Sequence, residues 1–103
     1  DTQNLEKDIE SAQAGWNVCQ QILHDPTIDV VLFDELNIVL KMNDLETDSV
    51  LQDIANRPAM KHVIITGRGA PEKVIKAADT VSRIEDVKHA FKAGIRVQKG
   101  IQL

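Results

Sequence analysis

Ile28-Asp29-Val30-Val31-Leu32-Phe33-Asp34-Glu35 is the stretch on which the fold turns. Its apolar run is nearly continuous and rich in β-branched residues. That pattern predicts a strand buried on both faces of a parallel sheet rather than one alternating between core and solvent. Asp34 and Glu35 then fall at the strand's carboxyl end, where open α/β sheets bind their ligands. A second run of the same kind, His62-Val63-Ile64-Ile65-Thr66, stops at Gly67-Arg68-Gly69.

Helical signals separate these runs. The apolar residues Leu5, Ile9, Ala12, Trp16, Cys19 and Leu23 are spaced 4, 3, 4, 3 and 4 apart, one stripe of a helix capped by Thr2 or Asn4 and stopped near His24 by Pro26. A short helix over 36–41 follows the first strand, with a loop near Asn43-Asp44. Thr47 and Asp48 open another helix, which reaches Asn56, turns Val50, Leu51 and Ile54 inward and is ended by Arg57-Pro58. Pro71 suits the first position of a helix over 72–78. Thr80-Val81-Ser82-Arg83-Ile84 alternates and predicts a third strand. A helical turn around Ala90-Phe91 and an extended end at 95–97 complete the expectation. Helices alternating with strands mean an α/β fold with parallel strands and right-handed crossovers.

Composition narrows the function classes. The chain has 103 residues, 43% hydrophobic and 27% charged, the balance of a single small globular domain. Such a chain buries roughly 60–65% of its unfolded surface, which leaves a thin stability margin. Only Trp16, Phe33 and Phe91 are aromatic, so the core is aliphatic. No apolar run reaches the roughly 18 residues of a membrane span, and no signal peptide opens the sequence. A lone Cys19 excludes an internal disulfide and fits a reducing cytoplasm. It lies on the apolar stripe and reads as core, with Trp16 beside it.

Charge is divided. Residues 1–53 carry a balance of −10 and residues 54–103 one of +6, within a net charge of −4. The basic half suits either an anion site or a solvated surface. Nucleic acid is a poor partner for a chain that is net negative and nearly without stacking aromatics. His24, His62 and His89 show no metal-ligand spacing.

Two candidate elements therefore share one sheet edge. Asp34 and Glu35 are hard oxygen donors placed where phosphate-handling enzymes hold Mg²⁺, or else a surface acidic pair closing a strand. Gly67, Arg68 and Gly69 offer a close backbone approach and a guanidinium fork for phosphate, or else a glycine turn with a solvated arginine. Two look-alikes are weaker. Gly67-Arg68-Gly69-Ala70-Pro71-Glu72-Lys73 is no P-loop, since Glu72 precedes and Val74 follows Lys73. Asp34, Thr66 and Lys88 have the intervals of a phospho-receiver domain, but the chain opens on a helix and His89 replaces the usual proline.

Asp1-Thr2-Gln3-Asn4, Asp34-Glu35-Leu36-Asn37, Asn56-Arg57-Pro58, Val63-Ile64-Ile65-Thr66-Gly67-Arg68-Gly69, Ala78-Asp79-Thr80-Val81 and Val87-Lys88-His89-Ala90-Phe91 occur in this order. With them the sequence resembles, over its whole length, the C-terminal part of the P-loop type cob(I)alamin adenosyltransferases. The resemblance implies a RecA-like P-loop NTPase-type parallel sheet with flanking helices, here lacking the P-loop strand and its neighbours. Those make up roughly ninety residues of a typical single domain, and the start at Asp1 rather than Met agrees. It implies a cytoplasmic enzyme, homodimeric at full length, that transfers the 5′-deoxyadenosyl group of ATP to the cobalt of a reduced corrinoid. It also implies Glu35 as the Mg²⁺ ligand, Asp34 as a partner acting behind it or through water, and Arg68, with Gly67 and Gly69, as the phosphate contact. Lys88 and His89 belong to the motif without an assigned role. Without the P-loop, the 103 residues are expected to be inactive alone. The alternative is a nucleotide- or partner-binding module without turnover.

Overall fold

A computed structural model describes residues 2–88. Its elements run α1 (Thr2–His24), β1 (Val30–Phe33), α2 (Leu36–Lys41), α3 (Thr47–Ala55), β2 (His62–Ile65) and α4 (Glu72–Ala77). The helical turn expected at Ala90-Phe91, the extended end at 95–97 and His89 lie outside the described residues.

β1 and β2 pair in parallel, with Val30 opposite His62 and Phe33 opposite Ile65. Parallel strands cannot be joined by a tight turn, and the crossover is made by α2 and α3. The core lies on one side of this pair. Trp16 and Leu23 of α1, Val31 and Phe33 of β1, Leu36 and Leu40 of α2, Val50 and Ile54 of α3, and Val74 of α4 are all buried there with Leu45. Trp16 meets Phe33 with ring centroids 5.3 Å apart and planes tilted by 46°, a favourable aromatic geometry.

Polar ties fix the helices. The Asp53 carboxylate of α3 accepts from Trp16 Nε1 at 2.7 Å and Gln20 Nε2 at 2.9 Å, which binds α1 to α3. Lys61 is buried, and its ammonium donates to the carbonyls of Ile22 and Asp25 at 2.7 and 2.6 Å, closing the carboxyl end of α1. Arg57 does the same for α3: its Nη1 donates to the Ile54 carbonyl at 2.8 Å and its Nε to that of Lys61 at 2.6 Å. Helix α3 starts at Thr47 as expected, and its cap is Glu46. Its carboxylate accepts from the amides of Asp48 and Ser49, and those bonds lower its pKa.

Two expectations are corrected. β1 is buried on one face only: Val31 and Phe33 point inward, whereas Val30 and Leu32 are 56% and 59% exposed. Ile64 of β2 is likewise exposed, because among the described residues helices cover only one side of the sheet. The third strand is absent as well. Residues 80–84 form no regular element and are exposed, since no described segment lies alongside to pair their backbone groups. The stripe of α1 has the predicted period, but Leu5 and Ile9 remain exposed and only its second half reaches the core. None of the described helices is long and apolar enough to cross a membrane.

Candidate functional site

The parallel register brings the ends of β1 and β2 to one edge, where the Thr66 amide donates to the Phe33 carbonyl at 3.1 Å. Beyond that bond the two loops are stitched together. The Thr66 hydroxyl donates to Asp34 Oδ1 at 2.9 Å and accepts from the Glu35 amide at 3.2 Å. The Asn37 amide donates to the Thr66 carbonyl at 3.4 Å, and Asn37 Nδ2 to the Gly67 carbonyl at 3.0 Å. The acidic pair and the start of the arginine loop, expected on one sheet edge, are thus hydrogen-bonded into one junction.

Backbone geometry explains the glycines. Gly67 has φ 129°, and a Cβ there would lie 3.0 Å from the Asn37 Cβ and 3.3 Å from the Glu35 Cα. Gly69 has φ 65° and lies under the Lys41 side chain, whose Nζ would be 3.1 Å from an added Cβ. Conformation disfavours a side chain at both positions, and at Gly67 the apposed Asn37 and Glu35 backbone adds crowding, whereas at Gly69 the neighbour is the end of a flexible lysine.

Glu35 joins strand to helix in a single left-handed residue, φ 62° and ψ 16°, and its side chain makes no cap bond to α2. A non-glycine residue in this region costs about 1 kcal/mol. Its carboxylate is exposed and, like the Arg68 guanidinium, has no hydrogen-bond or ion-pair partner among the described residues. Asp34 is held by Thr66 through one oxygen. The edge therefore carries two carboxylates and an arginine whose binding capacity is largely unspent.

Chemically this donor set fits Mg²⁺ as phosphate enzymes use it. That ion takes one or two carboxylates and fills its remaining positions with phosphate and water. Among the described residues there is no cluster of three or more His, Cys, Asp or Glu residues able to hold a metal. Beside Asp34 an apolar groove of about 320 Å³ runs between α1 and β1, lined by Gly15, Trp16, Cys19, Leu32 and Phe33. Burial pushes the pKa of the Cys19 thiol up. A larger cleft of about 540 Å³, between the starts of α3 and α4, contains none of the candidate residues. Lys88 ends the described chain and is exposed, outside any regular element.

Sequence reading gave Asn37 no site role, and Thr66 none beyond the strand end, the family motif and the phospho-receiver look-alike. Their partners lie about thirty positions away, and no local signal marks such bonds.

Known proteins resemble the chain along its whole length. The family model for ATP:corrinoid adenosyltransferase BtuR/CobO/CobP matches residues 1–103. A corrinoid adenosyltransferase of Pseudomonas aeruginosa is 55% identical over 102 residues, covering 99% of this chain and 50% of that protein. One from Escherichia coli is 42% identical, covering 98% and 52%. The corrinoid adenosyltransferase CobA of Salmonella typhimurium is 41% identical with the same coverage. The chain spans about half the length of the curated relatives it matches.

Proposed function

The chain belongs to the ATP:corrinoid adenosyltransferase BtuR/CobO/CobP family, and from that premise we propose that the Asp34–Glu35 and Thr66–Gly69 edge handles the triphosphate of ATP during adenosyl transfer. The observation that carries this reading is the Thr66 hydroxyl between Asp34 and Glu35, which joins the acidic donors and the arginine loop into one edge.

In the proposed reaction the reduced cobalt of the corrinoid substrate attacks C5′ of ATP. A cobalt–carbon bond forms, the C5′–O bond breaks, and its electron pair leaves with triphosphate. The nucleophile already carries its electron pair, so no side-chain base is needed. The protein contributes alignment and neutralisation of the departing charge. Glu35, with Asp34 adjoining, would hold Mg²⁺, which when bound supplies Lewis-acid stabilisation to the leaving group. Arg68 contacts phosphate with its fork, a geometry that lysine reproduces poorly. The left-handed turn at Glu35 keeps that carboxylate out of the helix cap and free for this role.

The parallel pairing and the site at the strands' carboxyl ends support a P-loop NTPase-type sheet. The 103 residues contain no P-loop motif, so this chain alone is proposed to be inactive. The free Cys19 thiol is compatible with a reducing cytoplasm.

The test uses the full encoded protein with ATP, Mg²⁺ and chemically reduced corrinoid. Adenosylated corrinoid and triphosphate are expected in equal amounts. Arg68→Lys should weaken ATP handling far more than it lowers Tm, and equal losses in both would make Arg68 a structural residue.

A further inference from the structure

Asn37 is an unusual residue for its position. It occupies the first turn of α2 between Leu36 and the rest of the apolar face, and it is only 5% exposed. Its Nδ2 donates to the Gly67 carbonyl at 3.0 Å, while Oδ1 is buried with no hydrogen-bond partner among the described residues. An aliphatic side chain would fill the same space and leave no acceptor stranded. Packing alone therefore does not account for an amide here.

What the amide holds does account for it. The Gly67 carbonyl belongs to the peptide that joins Gly67 to Arg68, and a trans peptide is planar. Fixing that oxygen fixes the plane and turns the Arg68 N–H to the opposite side, away from Asn37. The second bond, from the Asn37 backbone to the Thr66 carbonyl, holds the preceding peptide in the same way. The 3.0 Å approach of a Gly67 Cβ to the Asn37 Cβ shows how closely loop and helix are apposed.

We infer that Asn37 is a positioning residue for Arg68: its amide locks the Gly67–Arg68 peptide, so the arginine meets a polyphosphate as an already ordered group. The identity of that ligand rests on the proposed function, whereas the locking of the loop does not.

The test compares Asn37→Ala, which removes the donor, with Asn37→Ser, which keeps one on a shorter arm, both in the full encoded protein. Two readouts separate the questions. One is binding of inorganic tripolyphosphate by calorimetry. The other is the rate of tryptic cleavage after Arg68, measured by mass spectrometry against cleavage after Lys76 within α4. Losing the tether should raise the Arg68-to-Lys76 cleavage ratio and weaken tripolyphosphate binding, each roughly tenfold, and Asn37→Ser should recover part of both. An unchanged ratio, or cleavage rising in parallel at both bonds, overturns the inference and makes Asn37 a packing residue. If the wild-type protein binds no tripolyphosphate, the functional reading fails, and the cleavage ratio still decides the role of Asn37.

Discussion

At the amino end of β2, Lys61 is buried and its ammonium is consumed by the carbonyls of Ile22 and Asp25; at the carboxyl end of the same strand, Arg68 stands exposed with no partner among the described residues. The carboxylates divide likewise. Asp53, on the helical side, accepts from both Trp16 and Gln20, whereas Glu35, on the sheet edge, accepts from no described group. Two cations and two acids of similar intrinsic chemistry are thus put to opposite uses. Where a charge is saturated by its own chain it holds the fold, and where it is left unsaturated it is available to a ligand.

The comparison breaks most visibly at Glu35. Glu35→Gln in the full encoded protein should lower adenosyl transfer by about a hundredfold or more, a loss of several kcal/mol of leaving-group stabilisation, with Tm unchanged. Absorbance-monitored formation of adenosylated corrinoid checks this, and near-normal turnover at ordinary Mg²⁺ would remove Glu35 from the site. Lys61→Met should do the reverse. It strands two carbonyls at a cost of about 3 kcal/mol, seen as a lower urea midpoint, while turnover of the protein that remains folded stays normal. Asp53→Asn keeps one acceptor oxygen of two and should cost about 1 kcal/mol, again in stability alone.

The smallest effect concerns acid. Hydrogen bonds from the Ser49 and Asp48 amides lower the pKa of Glu46, and those from Thr27 lower that of Asp25. A depressed folded-state pKa means stability that is present above the unfolded value, about 4 for such groups, and is lost as pH falls through the folded value. Tm should therefore decline as pH drops below about 4, and Glu46→Gln should flatten that decline. An equally steep acid limb in the variant would deny Glu46 any part in it.

Much of the scaffold could be read in the sequence because its signals are local. The bounds of α2, the end of α1 before Pro26 and the parallel pair follow from periodicity, proline and β-branched runs. The failures are failures of environment. Val30 and Leu32 carry the residue types of a doubly covered strand, yet among the described residues nothing covers their side. Thr80–Ile84 alternates like a strand, but alternation makes no ladder without a neighbour. At the candidate site, Asp34, Glu35 and Arg68 could be singled out by residue type and position. Thr66 and Asn37, which join them, act through bonds spanning about thirty residues that residue type does not encode.

The left-handed Glu35 bears on protein engineering. Its backbone conformation suits glycine best and asparagine next. A library screened for heat resistance would accordingly enrich those residues at codon 35 and discard the carboxylate that the chemistry is proposed to need. Any such campaign should keep this codon fixed or alternate each thermal round with an activity screen.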